Sequence, residues 1–408
     1  MCNVRVYQLY MKKRILIVLP TLRNGGGVVR GLQNILSLLP KDRFNISVLS
    51  MGYTDDNIVE LTNCKVLSYN FFLTSVTAIY SQTKGYKFRF LLKIAKIVLT
   101  ILGKIKKRYK FENYLFAKVA QQYKGYDVVI AYEEGLCTRF VQYIDTPYRI
   151  AWIHCDYSEY RRTCLISEEA IYNKYQQIVC VSGYTLQKFQ RIYPSLKGRS
   201  LYIHNLLDKT FIRKAAARFL PDELKKDNEV KIISIGRLHP VKQFHLIPTI
   251  ISQILSMGAT RFKWILIGAG DSEEYDKILS EVRRLNISEK FFTYLGAKFN
   301  PYPYIKNSDI LVSTSLSEAC PFVVNEARVL GVPVVSNNYP SICEFIEDGI
   351  NGRVSSIGQL ASDLSELITN TKELENLKRG TKERDYNNDK IISNIIRLID
   401  NEIINNYN

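Results

Sequence analysis

The sequence predicts an α/β fold made of two domains, each with a parallel sheet covered by helices. Short β-branched apolar runs alternate with longer helical patterns along the chain, and this rhythm weakens only once, at residues 205–229, before it restarts. Near-continuous apolar strands separated by helices are typical of parallel sheets with both faces covered. A length of 408 residues leaves room for two such domains. We therefore expect two Rossmann-like domains.

Ten apolar runs supply the predicted strands. In the first half they are residues 14–20, 45–50, 127–132, 149–154 and 177–182. In the second half they are residues 230–235, 263–267, 291–295, 310–313 and 332–336. We place the first domain at residues 1–205, a charged linker at 206–228, the second domain at 229–385 and a final segment at 386–408. Isoleucines at helical spacing in this last segment predict a helix that packs against a domain.

Composition and charge narrow the classes of function. Hydrophobic residues make up 46% and charged residues 23%, which excludes disordered and fibrous proteins. The net charge of +17 favours an anionic partner: nucleic acid, a membrane surface or a phosphorylated small molecule. The eight cysteines are scattered without a C-x-x-C pair, which predicts neither a zinc site nor disulfides. We expect a reducing, cytoplasmic compartment.

The N-terminus lacks the pattern of a secretory signal. Residues 1–10 contain no apolar core followed by a cleavage site, and Met11 is an alternative start. No run of 18 apolar residues occurs, so we expect no membrane-spanning helix.

The segment 84–110 contains ten Lys and Arg residues and no acidic residue. Helical spacing predicts one basic face, with apolar residues around the rest of the helix; the basic face consists of Lys93, Lys96, Lys104 and Lys107. A basic amphipathic helix can bind an anionic membrane surface. The alternative is an ordinary layer helix with a solvated basic edge. Because no acid compensates the charge, we favour peripheral binding to the membrane.

Two glutamates eight residues apart predict a ligand site in the second half. Glu318 follows a strand, and Glu326 lies one turn inside a helix that is predicted to open near Phe322, after Pro321. The free N–H groups of a helix start suit a pyrophosphate, whereas carboxylates suit hydroxyl groups such as those of a ribose and a sugar. The alternative is two solvated glutamates on a surface helix.

Two further patterns follow predicted strands. Arg237 and Lys242, after the strand at 230–235, are placed to clamp a diphosphate, although basic loop residues are common. Gly25, Gly26 and Gly27 follow the first strand, without matching a dinucleotide fingerprint. They indicate either a close approach of backbone to ligand or a plain turn.

His154 ends the apolar strand at 149–154. It is either a site residue or a core histidine that a neighbour satisfies. No D-x-D sequence occurs, which argues against a carboxylate-held metal, so we expect neither a metal nor another cofactor.

Together these motifs closely resemble those of the retaining glycosyltransferases of family 4, also called group 1. The E-x7-E block that continues EARVLGVPVV is the most specific part of the resemblance. The resemblance implies the GT-B fold, in which two Rossmann-like domains face a cleft and the last helix crosses back to the first domain. It also assigns roles: diphosphate binding to Arg237 and Lys242, the donor sugar to Glu318, the ribose to Glu326, a first-domain catalytic-site histidine to His154, and the glycine loop to Gly25, Gly26 and Gly27.

The chain departs from the family pattern after the first glutamate. The family usually reads E-G-F-G, whereas this chain reads Glu318-Ala319-Cys320-Pro321. Proline has no N–H group to offer a phosphate. We therefore expect donor contacts from the N–H groups of Phe322, Val323 and Val324.

The resemblance predicts an enzyme that transfers a hexose or N-acetylhexosamine with retention of configuration. The donor is a nucleotide-diphosphate sugar, by expectation a UDP-sugar. The acceptor is a glycan or a polyprenyl-diphosphate-linked saccharide in cell-surface polysaccharide synthesis. One alternative is a nucleotide-sugar epimerase of the same fold. Another is a basic nucleic-acid-binding protein, which is disfavoured because the basic excess lies in one amphipathic segment.

Overall fold

The structure is a computed structural model that describes residues 12–23, 26–53, 60–104, 107–163, 167–225, 228–384 and 386–402. The chain divides into two compact units. The second unit is Leu207–Asn388, and the first combines the residues before it with those from Asp389 onward. The segment predicted as a linker contains a helix, Lys209–Ala216, that is grouped with the second unit.

The first unit contains a parallel sheet in the order β3-β2-β1-β4-β5-β6-β7. Its strands are β1 (Lys13–Leu19), β2 (Phe44–Ser50), β3 (Lys65–Val66), β4 (Val128–Ala131), β5 (Tyr148–Ile153), β6 (Gln177–Cys180) and β7 (Ser200–Tyr202). The run from Ile15 to Leu19 is buried on both faces of the sheet. This double burial explains why the strand is apolar at every position rather than at alternate ones.

Eight helices connect the strands of the first unit in the described ranges. They are α1 (Gly27–Leu38), α2 (Phe71–Thr77), α3 (Arg89–Lys104), α4 (Arg108–Ala120), α5 (Leu136–Val141), α6 (Tyr157–Thr163), α7 (Glu169–Tyr172) and α8 (Gly183–Ile192). Ser182 caps α8 through a reciprocal pair of hydrogen bonds with Thr185, which satisfies N–H groups that a helix start leaves open.

The second unit contains a parallel sheet in the order β10-β9-β8-β11-β12-β13. Its strands are β8 (Val230–Ile235), β9 (Phe262–Ile267), β10 (Phe292–Tyr294), β11 (Ile310–Ser313), β12 (Val334–Asn337) and β13 (Gly352–Ser355). The helices are α9 (Lys209–Ala216), α10 (Ile247–Ser256), α11 (Ser272–Arg284), α12 (Tyr302–Lys306), α13 (Phe322–Val329), α14 (Leu360–Thr369) and α15 (Thr371–Glu383). The last helix, α16 (Asn388–Ile399), lies almost wholly in the first unit.

The predicted α/β class, with two parallel sheets, is confirmed. In each sheet the first strand of the unit lies inside the sheet: β1 lies between β2 and β4, and β8 lies between β9 and β11. The chain therefore reverses its direction of progress across the sheet at β1/β4 and at β8/β11. Ligands of open α/β sheets bind outside the carboxyl ends of the strands at such a switch point.

The basic segment forms two helices rather than one. Lys107, which was predicted on the same helical face as Lys93, instead precedes α4 as its N-cap residue. Lys96 is half-buried, and burial lowers its pKa to about 8, with the nearby charge of Arg108 acting in the same direction. Within the described ranges, no helix has the length and apolar character needed to cross a bilayer.

Candidate functional site

The candidate site of the second unit lies at its switch point, where the loops after β8 and β11 meet. The Thr314 hydroxyl donates a hydrogen bond of 2.6 Å to the carbonyl of Lys242. The Leu316 N–H donates one of 2.8 Å to the carbonyl of Val241. These bonds fasten the two loops to each other, so residues that lie more than seventy positions apart in sequence share one sheet edge.

Lys242 and Glu318, both predicted site residues, form an ion pair at this edge. The Lys242 ammonium donates to Glu318 Oε1, which also accepts a hydrogen bond of 2.8 Å from the Ser315 hydroxyl. The Ser341 hydroxyl holds the Glu318 carbonyl at 2.6 Å. Both charged side chains remain partly exposed, so a cation and a carboxylate lie side by side at this edge.

Arg237 lies in the loop directly after β8 and is exposed. Within the described part of the chain its guanidinium makes no ion pair and no hydrogen bond. An exposed guanidinium with its five donors unused is suited to bind two phosphate oxygens at once.

The glycine turn after β9 supports the loop that carries Arg237. The two loops continue the parallel pairing of their strands: Leu238 N–H donates to the Ala269 carbonyl at 3.0 Å. A Cβ atom at Gly268 would lie 1.9 Å from the carbonyl oxygen of Gly236, and one at Gly270 would lie 2.3 Å from that of Leu238. Only glycine permits this approach of the two backbones.

Helix α13 begins at Phe322, as predicted, a few residues after Glu318 of the ion pair. Pro321 is its N-cap residue. The N–H groups of Phe322, Val323 and Val324 have no acceptor among the described residues, in keeping with the open first turn of any α-helix. These three donors are oriented along the helix axis toward its start.

Glu326, the second predicted glutamate, differs from Glu318 in its surroundings. Its side chain is only 1% exposed, and its Oε1 accepts a hydrogen bond of 3.2 Å from the Tyr302 hydroxyl. The structure therefore brings Lys242 and Glu318 together at the surface and places the Glu326 carboxylate beneath it, in contact with a hydroxyl group.

The predicted residues of the first unit lie at the carboxyl ends of β1 and β5. Gly26 is the N-cap residue of α1 and Gly27 is its first residue, whereas Gly25 lies outside the described residues. A Cβ atom at Gly26 would have no neighbour within 4 Å. The fold itself thus does not require glycine at Gly26.

His154 directly follows β5 and is largely enclosed. Its ring lies 4.8 Å from the ring of Tyr132, and its Nε2 is buried with no partner among the described residues. Burial lowers the pKa of His154 to about 3, although a hydrogen bond to the backbone of Tyr132 acts in the opposite direction. The imidazole is therefore neutral near pH 7 and can act there as a hydrogen-bonding group but not as a cation.

Two carboxyl groups near the end of β4, one of them in contact with His154, were not predicted from the sequence. Glu133 and Glu134 follow β4 at the switch point of the first sheet, and Glu134 Oε2 accepts a hydrogen bond of 3.0 Å from the His154 N–H. Burial, together with the neighbouring charge of Glu134, raises the pKa of Glu133 to about 8. Two consecutive glutamates directly after an apolar strand were the signal that could have identified them.

Among the described residues, no group of three His, Cys, Asp or Glu side chains is arranged to hold a metal ion. The cationic groups Arg237 and Lys242 supply the positive charge at the switch point of the second sheet.

Known proteins match this chain at the level of domain, sequence and fold. Residues 217–384 match the family of glycosyl transferases group 1. Among curated proteins, the chain is 24% identical over 199 residues to an N-acetyl-alpha-D-glucosaminyl L-malate synthase of Bacillus anthracis, which covers 47% of this chain and 51% of that protein. It is 29% identical over 127 residues to the lipopolysaccharide core biosynthesis glycosyltransferase LpsE of Rhizobium meliloti, which covers 31% of this chain and 35% of LpsE.

Among solved structures, Anabaena HepE in complex with UDP has the same fold. The TM-score is 0.66 at 16% sequence identity, and the match covers 96% of this chain and 100% of HepE. The chain spans about half the length of the Bacillus anthracis synthase and about a third of the length of LpsE. The match of residues 217–384 to the glycosyl transferases group 1 and the glycosyltransferase among these relatives support a transferase.

Proposed function

We propose that this protein transfers a hexose or N-acetylhexosamine from a nucleotide-diphosphate sugar to a saccharide acceptor, with retention of configuration. One observation carries the proposal. Lys242, Glu318 and the exposed Arg237 converge at the switch point of the unit that contains the group 1 domain. Cations paired with a hydroxyl-binding carboxylate are complementary to a diphosphate that is linked to a sugar.

Diphosphate binding would reorganise the ion pair. The two negative charges of the donor compete with Glu318 for the Lys242 ammonium, while Arg237 binds through its planar fork. Released from Lys242, the Glu318 carboxylate can accept hydrogen bonds from the donor sugar. The N–H groups at the start of α13 add fixed donors where charge develops on the leaving diphosphate.

The proposed reaction proceeds on one face of the sugar. The bond between the anomeric carbon and the donor phosphate oxygen breaks, and the acceptor oxygen forms its bond to the same carbon from the same side. The departing phosphate accepts the proton of the acceptor hydroxyl. Arg237 and Lys242 stabilise the diphosphate, so this proposal requires no metal ion, and neutral His154 positions the sugar and the acceptor.

Glu326 is proposed to bind the ribose of the nucleotide. Its carboxylate already accepts a hydrogen bond from the Tyr302 hydroxyl. A ribose hydroxyl that replaced the phenolic hydroxyl would preserve this bond, since both are neutral O–H donors. Ribose binding in this way requires the Tyr302 hydroxyl to leave Glu326 Oε1 and the buried carboxylate to become accessible.

The similar proteins support a UDP-sugar donor and a cell-surface product. HepE was solved with UDP and with UDP-glucose, and LpsE is named for lipopolysaccharide core biosynthesis. We propose a glycan or polyprenyl-diphosphate-linked acceptor, with the enzyme bound peripherally to the anionic cytoplasmic face of the membrane. The net charge of +17 supports this location.

The proposal is tested by removing each cation in turn. Arg237→Ala and Lys242→Ala are each expected to lower transfer from a UDP-sugar at least tenfold, about 1.4 kcal/mol of transition-state stabilisation. Lys372→Ala, at an exposed position on α15, is the matched control and should retain the parent rate.

A smaller loss in both site variants would overturn the diphosphate-binding role. The same assay run without acceptor checks the reaction type. If the donor alone is converted to an epimerised nucleotide sugar, the enzyme is an epimerase and not a transferase.

A further inference from the structure

Helix α3 exposes its apolar side to solvent. It packs against α2 and α4, and of its 16 residues only Leu92 and Leu99 are buried. Six large apolar side chains on the other side are between 42% and 75% exposed: Phe90, Leu91, Ile94, Ile97, Val98 and Ile101. We call these six residues the outer stripe.

The outer stripe is continuous. With 3.6 residues per turn, its six positions fall within an arc of about 120° opposite Leu92 and Leu99, over a helix about 24 Å long. Phe72 of α2 and Phe88, which directly precedes α3, are also exposed. Contiguous apolar surfaces of this kind mark interaction sites with a protein or a membrane.

Charge around the outer stripe indicates which partner fits. Lys93 and Lys104 are exposed and border the stripe along one edge of the helix. The segment 84–110 contains ten basic residues and no acidic one. A surface with an apolar centre, a basic border and no acid complements an anionic lipid layer, whose phosphates lie directly above its acyl chains.

The lysines of α3 are not equivalent. Lys96 lies on the inner flank of the helix, half-buried and near Arg108 and Glu112 of α4, whereas Lys93 and Lys104 are exposed. A lipid phosphate can reach Lys93 and Lys104 without any change in the packing of α3. Lys96 therefore serves as an internal control for electrostatic contacts.

We infer that α3 lies parallel to the plane of an anionic membrane, with the outer stripe inserted among the acyl chains and Lys93 and Lys104 at the level of the phosphates. This inference rests on the proposed function only for the membrane location; it does not depend on the donor chemistry. In this arrangement the attachment has two parts: an electrostatic contact of the lysines with lipid phosphates and an apolar contact of the outer stripe with acyl chains. The electrostatic part weakens in salt and the apolar part persists.

Cosedimentation with vesicles of phosphatidylglycerol and phosphatidylcholine, at 50 mM and 500 mM NaCl, separates the two parts. The parent protein is expected to lose part of its binding at high salt and to retain the rest. The triple variant Ile94→Ser, Ile97→Ser and Ile101→Ser should bind at least tenfold more weakly at both salt concentrations. Lys93→Gln with Lys104→Gln should weaken binding at low salt only, and Lys96→Gln should bind like the parent.

A substitution could also weaken binding by disturbing the fold, so the depth of residue 97 in the bilayer is measured directly. Ile97→Trp places an indole in the outer stripe, and lipids with brominated acyl chains should quench its fluorescence and shift the emission to shorter wavelength. The Lys96→Trp variant is the matched control and should show neither effect, because its side chain lies on the inner flank.

Three outcomes would overturn the inference. They are parent-like vesicle binding by the triple isoleucine variant, equal binding of the parent to neutral vesicles, and a parent dimer in sedimentation that the triple variant abolishes. UDP binding and transfer to a soluble acceptor are measured on the same variants. A parent protein that binds vesicles but neither binds UDP nor transfers a sugar contradicts the proposed function alone. A parent protein that transfers a sugar, with a triple variant that still binds vesicles like the parent, contradicts the role of α3 alone.

Discussion

At the scale of single residues, the two switch points hold carboxyl groups in different surroundings. In the second unit, Glu318 contacts the ammonium of Lys242. In the first unit, burial and the charge of Glu134 raise the pKa of Glu133 to about 8, so Glu133 is largely protonated at neutral pH. A protonated carboxyl can donate a hydrogen bond as well as accept one. Glu133 can therefore act both as a hydrogen-bond donor and as an acceptor at neutral pH.

The raised pKa of Glu133 predicts that the free energy of unfolding depends on pH. In the unfolded chain this carboxyl loses its proton near pH 4.5, whereas in the folded chain it keeps the proton up to about pH 8. Its contribution to the free energy of unfolding is complete below pH 4.5 and is lost as the pH rises through 8. Glu133→Gln removes this titration. The variant should gain stability relative to the parent between pH 4.5 and pH 8.

Urea unfolding of both proteins at pH 5, 7 and 9 measures the effect. Glu159→Gln, at an exposed position on α6, is the control and should follow the parent. A constant difference between Glu133→Gln and the parent at all three pH values would contradict the pKa of Glu133.

At the scale of elements, the loops after β8 and β9 act as one support for Arg237. Their backbones continue the parallel hydrogen bonding of the strands beyond the ends of β8 and β9, and the gap between them excludes a side chain at Gly268 or Gly270. The glycine loop before α1 is different, because Gly26 has open space around its Cα and an extended φ of −98°.

Alanine substitution should separate these two glycine turns. Gly268→Ala forces the backbones apart and is expected to lower the free energy of unfolding by about 1–3 kcal/mol. It should also reduce transfer activity, since Arg237 moves with its loop. Gly26→Ala should leave the free energy of unfolding within about 0.5 kcal/mol of the parent value. Differential scanning calorimetry measures both, and equal destabilisation by the two variants would contradict the close approach at Gly268.

At the scale of the whole molecule, the first unit is assembled from two separate stretches of the chain. Ile395, Leu398 and Ile399 of α16 are buried. Asp400, which directly follows α16, forms ion pairs with Lys13 of β1 at 3.1 Å and with Arg43 at 2.5 Å. The C-terminal residues thus complete the packing of the unit that contains the N-terminal strand.

Because α16 belongs to the first unit, a cavity in this helix should destabilise that unit specifically. Ile395→Ala is expected to cost about 2–5 kcal/mol. Proteins with two units can unfold in separate steps. Calorimetry should show a shift in only one transition for Ile395→Ala and in the other for Ile251→Ala, whose parent side chain is buried in the second unit. A shift of the same transition by both variants would contradict this division of the chain.

The sequence by itself determined the α/β class, ten of the thirteen strands in the described residues, and the glutamate and lysine at the second switch point. The short strands β3, β7 and β13 were not predicted. Each of the predicted features follows from local patterns: apolar runs of strand length, and polar residues directly after them. Since the carboxyl ends of parallel strands share one edge, Lys242 and Glu318 could be expected near each other without any knowledge of tertiary contacts.

Only the tertiary structure decided which groups are covered and which are paired. Helical spacing showed that α3 is amphipathic, but it could not show that Leu92 and Leu99 face inward while the outer stripe stays open, because apolar residues occupy both sides. Likewise, the hydrogen bond between Tyr302 and the buried Glu326 and the raised pKa of Glu133 arise from residues brought together by folding. Burial and pairing are properties of long-range contacts, which periodicity along the chain does not encode.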